Sequence, residues 1–294
     1  MALFGSATPI SKIVADALPT FVGSALRVAI GAAVILPFVI RELRGAPVIA
    51  GRTWLLLGGI AVFGMFGFSV LMLFGMRLVP GVVGAVLMSA TPAVTALSTV
   101  LFLGDRLGGR TIAAVACAAV GVAVMHVGQL DGADAAAGPI LLGSGLVLAA
   151  VCCEAAYTLL GKAAMRSLSP LVVTLLGAAM ALPLFAVPAG LEVDEADFGA
   201  LAWTDWLAVA WWGAGTLGLG SLLWYSGVAA VKGGTAAGFM GVMPVSALVL
   251  SYVLLGEPFR WLHLAGFAIV FVGVLLVAVE HRRAAAAASD GQTR

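Results

Sequence analysis

The sequence predicts an all-α membrane protein in which ten transmembrane helices form two inverted five-helix repeats. The first observation is composition: of 294 residues, 62% are hydrophobic and 10% are charged, with a mean hydropathy of +1.14. Because soluble domains carry about 25% charged residues, this composition argues against a soluble enzyme and a disordered protein. The net charge of +1 also provides no basic surface for nucleic acid. The second and third observations are long apolar stretches and an internal repeat.

Apolar stretches long enough to cross a bilayer, about 20 residues each, follow one another along the chain. They are continuous rather than alternating, which favours helices over a β-barrel. The predicted spans are 2–17, 19–39, 54–74, 79–102, 110–128, 139–161, 169–190, 205–227, 233–255 and 260–279.

The first span is the weakest because it is short and contains Pro9 and Lys12. A cleaved signal peptide is an alternative, since Ala15–Ala17 has the small-residue pattern of a cleavage site. Against this alternative, no basic segment precedes the stretch and Lys12 interrupts it. A true start upstream of Met1 is a further explanation for the short span.

The distribution of charge predicts that both termini lie in the cytoplasm, because cytoplasmic loops are enriched in Lys and Arg. With that orientation, the cytoplasmic segments contain Arg41, Arg44, Arg52, Arg106, Arg110, Lys162, Arg166, Lys232, Arg282, Arg283 and Arg294. The acidic stretch at 192–205 then lies outside. The chain is expected in the cytoplasmic membrane, with residues 280–294 as a disordered cytoplasmic tail.

An internal repeat appears when the chain is shifted by 152 residues, which aligns 54–125 with 206–277 without a gap. The aligned pairs are Trp54 and Trp206, Ser69 and Ser221, Gly75 and Gly227, Gly81 and Gly233, Ala85 and Ala237, Met88 and Met240, Pro92 and Pro244, Asp105 and Glu257, and Gly121 and Gly273. A shift of 150 aligns Lys12 with Lys162. The predicted repeats are therefore 1–128 and 139–279.

The odd number of spans in each repeat predicts that the second repeat enters the membrane in the opposite orientation. Inverted repeats are typical of secondary transporters, whose substrate site lies near the midplane between the halves. Two equivalent halves can exchange conformations and so produce inward-open and outward-open states of similar energy. A channel or an intramembrane enzyme gains nothing comparable from this arrangement.

Two copies of a motif resemble the EamA-like family of the drug/metabolite transporter superfamily. The resembling segments are Gly5–Lys12 with Gly81–Leu107 in the first half, and Tyr157–Lys162 with Gly233–Pro258 in the second. The resemblance implies ten helices and export of amino acids, other metabolites or toxic compounds from the cytoplasm. The chain departs from the family in its short first helix and in Glu154, where the family often has an apolar or aromatic residue.

Ionisable residues within the spans are candidate site residues, because each costs about 2.5–3.5 kcal/mol at a helix centre. Glu154 lies in the sixth span, with Tyr157 three residues further on the same face. It is predicted either to bind a substrate ammonium or a proton, or to be a structural carboxyl bonded to a neighbouring helix. Arg27 in the second span is predicted to hold a substrate carboxylate, to extend towards the outer surface, or to pair with Asp16.

Further candidates occupy repeat-equivalent positions in the fourth and ninth spans, where proline frees a backbone carbonyl and kinks a helix. These are Ser89, Thr91, Met240 and Ser246 as substrate contacts and Pro92 and Pro244 as hinges. Trp224 and Tyr225 in the eighth span are candidates for lining the substrate path. The glycine-rich run 213–220 is predicted to be a helix-packing surface rather than a phosphate loop.

No nucleophile, metal-ligand or nucleotide-binding motif occurs in the sequence, so neither an enzyme, a cofactor nor a metal is predicted. The expected partners are a small-molecule substrate and the lipid bilayer, with the chain as a monomer or homodimer. A multidrug exporter is the alternative within transport. An intramembrane lipid-modifying enzyme and a structural membrane subunit are alternatives from other classes, and neither predicts the inverted repeat.

Overall fold

The computed structural model describes residues 1–44, 49–103, 108–130, 134–230, 239 and 241–292. Within this part of the chain, all regular secondary structure is helical. The helices are α1 (Ala2–Gly5), α2 (Ala7–Ala17), α3 (Thr20–Arg44), α4 (Gly51–Gly59), α5 (Phe68–Leu78), α6 (Gly81–Met88), α7 (Thr91–Leu103), α8 (Gly109–Leu130), α9 (Asp134–Ala164), α10 (Pro170–Glu192), α11 (Trp203–Ala210), α12 (Gly220–Ala230), α13 (Val242–Leu255) and α14 (Trp261–Gln292).

Seven helical segments of the described chain are long and apolar enough to cross a membrane. They are Thr20–Ile40, Gly51–Leu78, Gly81–Phe102, Gly138–Ala164, Pro170–Glu195, Trp203–Gly227 and Trp261–Val279. Two shorter apolar helices, Gly109–Val124 and Val242–Leu255, coincide with the predicted fifth and ninth spans. The prediction of an all-α membrane protein is confirmed, and the count of ten spans stays a prediction.

The short first span is helical but broken. A turn at Ser6 separates α1 from α2, and the Ser6 hydroxyl donates a hydrogen bond to the Leu3 carbonyl at 2.7 Å. Pro9 lies in the first turn of α2, where its missing N–H removes no helical hydrogen bond. Near the end of α2, Lys12 forms an ion pair with Asp16 one turn further on, at 2.9 Å.

Two membrane helices each contain a π-helical segment: π1 (Ile60–Gly67) joins α4 to α5, and π2 (Trp211–Leu219) joins α11 to α12. The 152-residue shift places π1 on residues 212–219, which is all of π2 except its first residue. Because π-helical turns are rare and frequently lie at functional sites, their recurrence at equivalent positions makes both helices candidates for a functional site.

Helices α8 and α14 pack closely through two glycines. A Cβ atom on Gly121 would lie 2.6 Å from the Gly266 carbonyl oxygen, and one on Gly273 would lie 2.9 Å from that of Ala114. Ala114 and Gly266 are themselves 152 residues apart, so the two contacts are reciprocal. Small residues allow membrane helices to approach backbone to backbone, and only glycine fits at both positions.

The predicted packing role of the glycine-rich run is also confirmed. A Cβ atom on Gly213 would lie 2.8 Å from the Arg27 carbonyl oxygen, and one on Gly218 would lie 2.7 Å from a methyl group of Val34. The π2 segment therefore lies directly against α3, which brings its tryptophans beside Arg27.

Glu257 joins the second half of the chain to the first. Its carboxylate accepts hydrogen bonds from the backbone N–H groups of Gly81 (2.5 Å) and Val82 (3.0 Å), which open α6. Gly256 ends α13 in the left-handed conformation with φ 62°, which turns the chain so that Glu257 faces α6. Free N–H groups at a helix start favour an anionic partner.

The C-terminal residues differ from the prediction of a disordered tail over 280–294. The structure continues α14 to Gln292. Alanine has the highest helix propensity of all residues, and the run Ala284–Ala288 therefore extends the helix beyond the apolar span.

Candidate functional site

Glu154 lies within the apolar span of α9 and is joined to α7 by a hydrogen bond. The Thr91 hydroxyl donates to Glu154 Oε2 at 2.9 Å and also lies 2.7 Å from the Met88 carbonyl oxygen. Thr91 begins α7, so its side chain lies at a break in the fourth span. The Glu154 side chain is only partly covered. The carboxylate is therefore held in place against α7.

Arg27 is buried between two aromatic rings, with 8% of its surface exposed. Its guanidinium carbon lies 4.8 Å from the centre of the Trp212 ring and 5.4 Å from that of Phe68. Nη1 donates a hydrogen bond to the Ser69 hydroxyl at 2.7 Å, whereas Nε has no hydrogen-bond partner. Cation–π contacts stabilise a desolvated cation by about 2 kcal/mol, but they leave most of its N–H donors unused.

Two of the three interpretations of Arg27 are wrong. The side chain does not pair with Asp16, because that carboxylate forms its ion pair with Lys12, one turn earlier on α2. Nor does it extend to the outer surface, because the Trp212 and Phe68 rings enclose it. The remaining interpretation, that Arg27 holds a substrate carboxylate, stays a prediction.

Arg27 and Glu154 attract each other electrostatically without forming a direct ion pair. Among the described residues, the one ion pair at bonding distance is that of Lys12 with Asp16, so Arg27 and Glu154 are not in direct contact. Opposite charges in a medium of low dielectric constant interact strongly over several ångströms. The site therefore combines two coupled charges that do not satisfy each other's hydrogen bonds.

Tyr157 lies beside these charges, and Tyr225 lies beside Tyr157. The Tyr157 ring covers Gly64 of π1, where an added Cβ atom would lie 2.8 Å from the ring carbon Cγ. Tyr225 of α12 interacts electrostatically with Tyr157 and lies close to Thr174 on α10. Trp224, the neighbouring candidate on α12, is half-buried. Tyr157, which is predicted to share a helix face with Glu154, therefore belongs to a polar group that also includes Tyr225.

The candidates at the helix breaks have more local contacts. Ser89 lies in the turn between α6 and α7 and donates to the Ala85 carbonyl at 2.7 Å. Ser246 donates to the Met243 carbonyl at 2.9 Å and packs against Gly5 of α1. Pro92 and Pro244 lie in the first turns of α7 and α13. Met240 lies outside the described residues.

Several residues of the site were absent from the sequence prediction. Phe68, Ser69 and Trp212 surround Arg27, and Thr174 lies beside Tyr225. Phenylalanine and serine are common in membrane spans, so neither residue type draws attention. The match of Ser69 with Ser221 in the internal repeat was the one available signal.

The family model described as the EamA-like transporter family matches residues 1–127 and 141–279. An uncharacterised transporter of Bacillus subtilis (strain 168), YetK, is 29% identical over 96% of this chain and 86% of its own length. A second transporter of that strain, YyaM, is 23% identical over 74% of this chain and 70% of its own. One of Archaeoglobus fulgidus is 25% identical over 76% of this chain and 78% of its own. A crystal structure covers 96% of both chains with a TM-score of 0.61 at 19% identity, which shows a shared fold.

Proposed function

Because the chain belongs to the EamA-like transporter family, we propose that it exports a small metabolite, such as an amino acid, through the Glu154 site by alternating access. The observation that carries this proposal is the gathering of Glu154, Arg27 and Tyr157 inside a protein whose helices are apolar enough to span a membrane. Intramembrane charges are costly and mark substrate or ion pathways. A polar solute needs such groups to replace its hydration.

Alternating access requires two halves that can exchange conformations, and three observations support an inverted repeat. The sequence repeats at 152 residues, the π-helical segments recur at equivalent positions, and α8 and α14 pack reciprocally. We infer ten spans, five in each of 1–128 and 139–279, in the cytoplasmic membrane with both termini inside. The substrate then binds between the halves.

The site draws on both halves of the chain. Arg27, Ser69 and Thr91 come from the first half, whereas Glu154, Trp212 and Tyr225 come from the second. A movement of one half against the other therefore changes the distances between the groups that hold the substrate. This is the physical link between substrate binding and the conformational change.

Proton coupling through Glu154 is part of the proposal. A proton and a substrate ammonium compete for the same carboxylate, because either one neutralises its charge. Release of the ammonium on one side would be followed by uptake of a proton, which drives the empty carrier back. Facilitated diffusion lacks this competition, and its rate would not follow the proton gradient.

Growth of cells that overproduce the protein tests the proposal. Wild-type and Glu154→Ala cells, matched for protein in the membrane, are exposed to toxic amino-acid analogues and to cationic drugs. The proposal predicts tolerance of analogues that the variant loses. Tolerance confined to drugs would instead support multidrug export, and increased sensitivity to analogues would support uptake. Equal growth of both strains on every compound would contradict transport through Glu154.

A further inference from the structure

The charge balance of the site points to its substrate class. Arg27 and Glu154 are one cation and one anion, coupled through space but not in contact. We propose that the site selects small zwitterions of no net charge, with Arg27 binding the substrate carboxylate and Glu154 its ammonium. This inference rests on the proposed function and names the substrate class of the same site.

Arg27 has unused hydrogen-bonding capacity. Its guanidinium has five N–H donors in a planar fork that matches a carboxylate, yet Ser69 is its one hydrogen-bond acceptor in the described chain. Nε is buried without a partner. Native proteins rarely leave a buried donor unsatisfied. A substrate carboxylate would supply the missing acceptor.

The aromatic rings hold Arg27 in place, so it does not need a protein carboxylate as an ion-pair partner. The guanidinium carbon lies over the Phe68 and Trp212 rings, so cation–π contacts hold the cation in place without a protein carboxylate. Each ring adjoins a π-helical segment: Trp212 lies within π2, and Phe68 directly follows π1. Both segments thus contribute to holding the cation.

Glu154 provides the complementary half. Its Oε2 accepts from Thr91, and the residue as a whole is half-buried. A substrate amine that carries three N–H donors could bind it without disturbing Thr91, because a carboxylate has about four acceptor positions. With both charges of the substrate compensated, a zwitterion leaves no net charge inside the membrane. An amine or a carboxylic acid alone would leave one charge unpaired.

The test measures ligand-induced stabilisation of the full-length protein in detergent, since a bound ligand raises the unfolding temperature. The ligands are the twenty standard amino acids and, for each one that binds, the matched amine without the carboxyl group and the matched acid without the amino group. For wild type, the amino acid should bind at least about tenfold more tightly than either analogue, because a site with unpaired polar groups rejects incomplete ligands strongly.

Charge-removing variants give a readout that a structural role would not produce. Arg27→Gln should reverse the preference towards the amine, and Glu154→Gln towards the acid. Lys12→Gln removes a cation outside the site and should leave the preference unchanged. If either single variant does not fold, the double variant Arg27→Gln/Glu154→Gln has no unbalanced charge, and it should lose the discrimination among the three ligands.

Two results would overturn the inference. One is an unchanged order of preference in the variants; the other is a wild-type protein that binds amines or acids as well as amino acids, or binds no amino acid. In each case the growth experiment still decides separately whether the protein transports a solute through Glu154. Failure of the inference is thereby distinguished from failure of the proposed function.

Discussion

Removal of the Glu257 carboxylate should open the outer side of the transporter. In the proposed topology Glu257 and the start of α6 lie at the outer end, and the two hydrogen bonds join the two halves there. If the halves separate during outward opening, these bonds break. They therefore stabilise the outward-closed state.

The structure sets the size of this effect. Loss of a helix-capping side chain costs about 0.5–2 kcal/mol, and a hydrogen bond to a charged group contributes about 1.5–3 kcal/mol. Allowing for solvent near the membrane surface, we expect a shift of about 1–3 kcal/mol in Glu257→Ala. Since about 1.4 kcal/mol corresponds to a factor of ten, the ratio of outward-open to outward-closed protein should rise roughly 5-fold to 140-fold.

The assay follows the reaction of a single cysteine with a membrane-impermeant maleimide added outside. Thr91→Cys places the thiol beside Glu154, after Cys117, Cys152 and Cys153 have been replaced by alanine. Glu257→Ala should accelerate this reaction, and Glu257→Gln, which keeps one acceptor oxygen, should do so less. Glu195→Gln changes an exposed acid near the same end and serves as the control. A rate unchanged by Glu257→Ala would refute the argument.

Four further predictions concern the site and the packing of the repeats. Gly64→Ala should displace Tyr157 and reduce transport at least about tenfold, whereas Gly58→Ala in the same span, where the added Cβ atom meets only Met180 at 3.7 Å, should not; equal activities of the two would contradict the role of Tyr157. Thr91→Val removes the donor to Glu154 and should weaken substrate binding by about 1–3 kcal/mol, while Thr91→Ser preserves binding; titration of the purified protein measures both. Gly121→Leu and Gly273→Leu should each lower the unfolding temperature by several degrees, unlike Gly145→Leu at an exposed position where an added Cβ atom has no neighbour within 4 Å; if just one of them lowers it, the reciprocal packing is not symmetric in energy. Glu154→Gln should abolish the dependence of transport on external pH, and a variant that keeps both the rate and the pH profile of wild type would exclude a proton role.

The sequence predicted those parts of the fold that depend on composition and periodicity. Apolar runs identified the membrane helices, and the charge at 154 within one of them drew attention to Glu154. By contrast, the hydrogen bond from Thr91 joins residues 63 positions apart and depends on how α7 meets α9. Pairwise contacts of this kind are set by tertiary packing, which a single sequence does not reveal.

The surroundings of the Arg27 side chain could not be predicted from its charge alone. Asp16 was a reasonable partner by location, but Lys12 reaches it one turn away on the same helix. The aromatic enclosure depends on the close approach of π2 to α3, which Gly213 and Gly218 permit. No feature of the composition marks the π-helical segments. The glycines predict close helix packing, but they do not identify the helix that packs against them.

Alternating access requires that the site can be reached from both sides of the membrane, and the reactivity of one thiol at the site measures this. In the same cysteine-free background, Thr91→Cys is exposed to an impermeant maleimide in right-side-out and in inverted membrane vesicles. If access alternates, the thiol should react from both faces, and a bound substrate should protect it. An outward-opening change such as Glu257→Ala should favour the external reaction at the expense of the internal one. Reaction from one face alone under every condition would contradict alternating access through this site.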